Sequence, residues 1–187
     1  MENFEEMKAM WIELNNRVSS LEEENRRLAR SIINNNYKTA RDKLISKYSL
    51  FIIIEIVMIF YMLIFVIFNP LLVEKYKVAT IIYWALFFAF EASIDIYLRT
   101  RLRKIDIYNS SVSAIAAIAS KNWKIHKIAI IIGLPLAFGA IILFGLLLNA
   151  NEFTIYAMII GGMVGLLIGV RQLRKFYLYY KLLQSDE

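Results

Sequence analysis

Three acidic residues interrupt runs that are otherwise apolar: Glu55 in FIIIEIVMIF, and Glu91 and Asp95 in FEASID. A carboxylate inside an apolar helix can pair with a basic side chain, share a proton with a neighbouring acid, or bind a cation. Sharing arises because like charges raise one another's proton affinity. Glu91 and Asp95 are four residues apart, so a helix puts them on one face, together with Thr80 and Trp84. Counted from the basic ends of their runs, Glu55 lies about 9 Å deep, Glu91 about 12 Å and Asp95 about 6 Å, at 1.5 Å per residue. The three acids therefore form one layer, and intramembrane acids face a bundle interior rather than lipid. Arg99, Arg101, Lys127 and Arg171 form a basic belt beside that layer, and the Asp95–Arg99 spacing suits a helical ion pair. The expectation is that the acids are mostly paired with this belt. Proton sharing and cation binding remain as alternatives.

Little else in the chain suggests chemistry. It has no cysteine, which excludes disulfides and thiolate sites. Its single histidine, His126, lies between Lys124 and Lys127 and reads as an interfacial polar residue. No nucleophile–base pair or metal-ligand set is visible. A non-enzymatic protein with no cofactor and no metal site is expected.

The elements that must position the acids are membrane helices. Of the 187 residues, 59% are hydrophobic, and the mean hydropathy is +0.52. Four runs approach the length of about 20 residues that crosses a hydrocarbon core: 49–68, 78–98, 128–148 and 154–170. The fold class is thus an all-α membrane protein with four transmembrane helices. Residues 48–170 make the membrane domain, with a loop at 99–127, and 171–187 form an aromatic-basic interfacial tail. Twenty of the 22 basic residues lie before the first span, between the second and third, or after the fourth. Only Lys75 and Lys77 fall on the other side. The positive-inside rule then places both termini in the cytosol, at a bacterial inner membrane. The basic charge accordingly reads as orientation and lipid contact, and no nucleic-acid partner is expected.

Residues 1–47 contain neither Gly nor Pro and read as a cytoplasmic coiled-coil stalk with a basic juxtamembrane segment. Asn3 and Glu6 have the spacing of a capping box. Phe4, Trp11, Val18, Asn25 and Ile32 fall at heptad position a; Met7, Leu14, Leu21, Leu28 and Asn35 fall at d. Branched residues at a and leucine at d favour two parallel strands, and a lone asparagine at a fixes register. A homodimer or a cytosolic partner helix is expected to cover this stripe; packing on the chain's own loop is the alternative. Residues 1–24 are mostly acidic and 25–47 mostly basic, so the distal half should project from an anionic leaflet. Asn34–Asn36 is the expected hinge.

All seven glycines lie in spans three and four. Ala157, Gly161, Gly165 and Gly169 recur every four residues and would let a second helix approach closely. The expected partner is span three, through Gly133, Ala137 and Ala140, or a second protomer. Pro135 should bend span three. Between the second and third spans, Asn109–Ser111 should form the turn between two short helices, with Trp123 an interfacial anchor.

The combination of MKAMWIELNNRV, a basic junction, four spans and GLPLA in the third resembles uncharacterised membrane proteins of Bacteroidota, some encoded beside sigma-factor genes. The resemblance covers most of the chain and implies a regulatory role, with a sigma factor as the cytosolic partner. Small multidrug exporters are similar in having four spans and a glutamate in the first; the basic stalk and large cytoplasmic loop depart from that pattern. The function expected is therefore a membrane regulator or scaffold that presents a coiled-coil helix. A proton- or cation-coupled transporter or channel using Glu55, Glu91 and Asp95 is the alternative.

Overall fold

The computed structural model describes residues 2–184; the side chains of 2–5 and of Ala9 lie outside the description, and with them the capping side chain expected at Asn3 and the heptad residue Phe4. Four helices account for nearly all described residues, and none of these residues forms a strand. They are α1 (Glu2–Phe68), α2 (Glu74–Arg103), α3 (Val112–Leu147) and α4 (Glu152–Gln184). Each is long and apolar enough to cross a membrane.

Helix α1 is continuous for 67 residues, about 100 Å at the rise of an α-helix. It passes through Ser19 and Ser20, whose hydroxyls bond back to the carbonyls of Asn16 and Arg17 at 2.9 and 2.8 Å. It also passes without a break through Asn34–Asn36, so the expected hinge does not form. Asparagine is a poor helix former by only a fraction of a kcal/mol, too little to break a helix tethered by packing just beyond it.

The short connections are set by local chemistry. After α3, Asn149 takes a left-handed φ of 49°. The amides of Asn149 and Ala150 return to the carbonyls of Leu146 and Gly145 at 3.3 and 3.0 Å, the two bonds of a Schellman cap. Asn151 then caps α4 by accepting from the Thr154 amide at 2.9 Å. Between α2 and α3, Asp106 accepts from the amides of Tyr108 and Asn109 at 3.0 and 3.2 Å, an Asx turn. These bonds, with that from the Asn109 side chain foremost, hold its carboxyl below the usual range. Ser111 caps α3 through the Ala114 amide. The turn expected at Asn109–Ser111 is present; the first short helix continues α2, as expected, and the second is the start of α3 rather than a separate helix. Helix α3 runs through Pro135 without interruption.

In the bundle α1 is flanked by α2 and α4, and α3 by the same two helices. The larger core cluster is at the stalk end, outside the most apolar segments. It joins Tyr37, Ala40, Leu44 and Tyr48 of α1 to Leu98 and Leu102 of α2, Ile115 and Ala119 of α3, and Phe176, Tyr180 and Leu183 of α4. A smaller cluster of Met62, Val66, Leu72 and Leu147 closes the other end. Tyr37, Ala40 and Leu44, in the segment read from sequence as basic and juxtamembrane, thus pack into the bundle. Phe176 and Tyr180 of the supposed interfacial tail are core residues too.

Candidate functional site

Glu55 projects from α1, and Glu91 and Asp95 from α2, into the middle of the bundle. Asp95 is 7% exposed, whereas Glu55 and Glu91 are half-buried. All three acids are thus withdrawn from full solvent exposure.

The ion pairs expected between the acids and the basic belt do not occur among the described residues. Among the described residues the salt bridges within 4.0 Å are Arg17–Glu13, Arg27–Glu23, Arg41–Asp42 and Lys77–Glu74, all remote from the three acids. Glu55 Oε2 is buried without a hydrogen-bond partner. The belt engages other groups: Arg101 bonds the Tyr97 hydroxyl at 3.3 Å, and Lys127 lies 5.7 Å from the Trp123 ring centroid. Arg99 Nε is buried and unpartnered, despite the helical spacing to Asp95. Desolvating both members of a buried pair can cost more than their attraction returns, and long basic side chains extend toward the aqueous rim instead.

The environment of the acids is partly made by glycine. Gly133 of α3 faces the Glu91 carboxylate, and a β-carbon there would collide with it. Gly139 likewise faces the Tyr83 hydroxyl, which donates to the Leu136 carbonyl at 2.9 Å. On α2, Thr80 continues the polar face and is fully buried with an unpartnered hydroxyl, and the Trp84 Nε1 is also unpartnered.

These contacts bear on the first of the two partners expected for the small-residue face of α4, and leave the second, another protomer, untouched. Gly133 is committed to span two, and Ala140 is buried within the bundle. Nothing lies within 4 Å of a β-carbon built at Gly161, Gly165 or Gly169, and Ala157 is exposed. The two small faces therefore do not meet within the chain.

Just below the carboxylates lies a polar-aromatic centre that spacing alone did not reveal. The Tyr48 hydroxyl is 3.0 Å from that of Tyr180 and 3.3 Å from His126 Nδ1. Phe176 packs against His126 and Tyr48 at centroid distances of 4.7 and 5.0 Å. Trp123 stacks on His126 at 5.7 Å and meets Tyr180, so it is part of this core rather than an interfacial anchor. His126 is 9% exposed, and burial pushes its pKa down to about 4. Burial also pushes the Tyr180 hydroxyl up. Asn122, one turn before His126, is fully buried with neither amide atom partnered. The available signals were helical: Tyr37, Ala40, Leu44 and Tyr48 fall on one face, as do Phe176, Tyr180 and Leu183.

The stalk residues lie elsewhere. Trp11, Leu14, Val18, Leu21 and Leu28 are 47–69% exposed, and Asn25 is exposed between them. At 100° per residue their stripe is turned about a third of a revolution from the face that α1 buries in the bundle. The chain's own loop does not cover it. Compared with known proteins, the chain matches no family model, no curated sequence and no solved structure.

Proposed function

We propose that this chain is a non-enzymatic regulator or scaffold of the bacterial inner membrane, with both termini in the cytosol. It dimerises through a parallel coiled coil and presents that stalk to a cytosolic protein. The observation that carries the reading is the uncovered heptad stripe from Trp11 to Ile32, on a helix continuous with the bundle. A contiguous exposed apolar surface of this kind marks an interaction site, and Asn25 within it supplies the register device of a two-stranded coil. The charge asymmetry of the flanks supports the cytosolic assignment. The resemblance to Bacteroidota proteins encoded beside sigma-factor genes makes a sigma factor the first partner to test.

The absence of cysteine permits a clean test. Single cysteines along residues 7–32 should crosslink in intact membranes with a seven-residue period, and uniform or absent crosslinking would refute the coil. Pull-downs with and without residues 1–36 should differ in a cytosolic partner; identical sets would remove the presentation role.

A second reading is favoured by Glu55, whose Oε2 is buried without a partner and which forms no ion pair among the described residues. It is a proton- or cation-coupled transporter or channel using Glu55, Glu91 and Asp95. Glu55→Gln should then abolish an ion flux in proteoliposomes; unchanged flux for every ion tested would eliminate it.

A further inference from the structure

Helix α4 is held at both ends of its apolar stretch and free between them. Phe176, Tyr180 and Leu183 bind it into the stalk-end core, while Met158 contacts Gly145 of α3 near the other end. Helices α3 and α4 flank a cleft of about 1280 Å³, which Gly145 and Met158 help to line. Ile130, Leu134 and Phe138 form one wall and Ile159, Met163 and Leu166 the other. The outer side chains, such as Phe138 and Met163, are exposed, so the cleft opens on the flank of the bundle. Along α4 it runs from Ile155 to Leu173, about 27 Å by helical rise, close to the thickness of a hydrocarbon core of about 30 Å.

One end of the cleft is chemically distinct. Lys75 is the single charged residue that lines it, with Tyr76 and Asn149 beside it. The Lys75 ammonium sits 4.7 Å from the Tyr76 ring centroid and has no acidic partner among the described residues. Its neighbour Lys77 is neutralised by Glu74 at 2.8 Å. Lys75 is therefore the lysine at the end of the bundle opposite the stalk that has no ion pair among the described residues, and it lines the mouth of an apolar cleft. An elongated apolar slot with a positive charge at its rim complements an amphiphile with a negative head.

We propose that this cleft seats an acyl chain of an anionic phospholipid, with the lipid phosphate held at Lys75. The proposal is independent of the stalk and of the carboxylate layer. A basic residue at a membrane surface favours an anionic lipid by about five-fold over a zwitterionic one.

The test uses the full-length protein, purified in detergent and offered equimolar phosphatidylglycerol and phosphatidylcholine, with retained lipid read by native mass spectrometry. Wild type should keep one lipid per chain, with phosphatidylglycerol preferred about five-fold. Lys75→Gln should bring the two lipids near parity, while Lys75→Arg and Lys77→Gln should keep the preference. Gly165→Phe, which fills the cleft, should lower retention of both lipids; the Lys75 series decides the matter without altering helix packing. Equal retention by wild type, a preference that survives Lys75→Gln, or a lipid-free dimer with a second copy in the cleft would overturn the proposal.

Discussion

Gly133 on α3 lies against the carboxylate of Glu91 on α2, in the space that any other residue's β-carbon would fill. A glycine read from sequence as part of a helix-packing face is thus the residue that accommodates an acid within an apolar helix. The relationship ties the carboxylate layer to the packing of the bundle, and it can be tested by exchanging one methyl group.

Gly133→Ala should destabilise the protein by about 1–3 kcal/mol, the usual cost of overpacking. Glu91→Ala in the same chain should recover much of that loss, with a coupling of about 0.5–3 kcal/mol in a double-mutant cycle. Thermal unfolding in detergent measures it. Additive single effects would mean that the two residues do not touch.

Tyr48 is the hub of the polar-aromatic centre, because its hydroxyl meets both Tyr180 and His126. Tyr48→Phe leaves two buried groups unpartnered and should cost about 1–3 kcal/mol. Tyr180→Phe leaves the Tyr48–His126 contact intact and should cost less. The reverse order in unfolding experiments would move the hub to Tyr180.

Burial holds the His126 pKa at about 4, below the value of about 6.5 in an unfolded chain. Between these values the unfolded state binds the extra proton, so stability rises with pH. His126 contributes fully above about pH 6.5, and its contribution falls as the pH drops toward about 4. Melting temperatures from pH 4.5 to 7.5 should slope more steeply for wild type than for His126→Phe. Equal slopes would show that His126 charges freely in the folded protein.

Asn149 occupies a left-handed conformation at the α3 terminus. Asn149→Gly should preserve or slightly raise stability, whereas Asn149→Val should cost about 1–2 kcal/mol, the penalty for a side chain in that region. A valine variant as stable as wild type would show that the turn can be made another way.

On the proposed dimeric coiled coil, Asn25→Val should strengthen self-association and loosen its register, as expected when a polar a-position residue is replaced by a branched apolar one. Crosslinking from flanking a and d positions should rise in yield and lose its sharp seven-residue period. A period unchanged by the substitution would assign register to other residues.

Much of the architecture was legible from local pattern. Hydropathy located the apolar segments because about 20 consecutive apolar residues need no tertiary information to be recognised. The four-residue spacing of Glu91 and Asp95 put them on one face, and depth counting put Glu55 at their level. The centre around Tyr48, His126 and Tyr180 was harder to read. His126 stands among lysines in the chain, and only the approach of α1 and α4 turns that neighbourhood into a buried one. Trp123 and Phe176 were misplaced for the same reason: an aromatic beside basic residues has the composition of an interfacial belt, whether or not another helix covers it.

The sequence by itself determined the helices, their apolar segments and the asymmetry of charge, since these depend on near neighbours along the chain. Tertiary structure decided which polar groups meet. It left Glu55, Glu91 and Asp95 without the cations placed beside them by spacing, put Gly133 against Glu91, and left the glycines of α4 facing open space. The physical reason is that pairing between helices depends on their rotation and separation, which are set by packing summed over the bundle. A turn of one helix by a single residue, about 100°, exchanges one partner for another while leaving every local pattern unchanged.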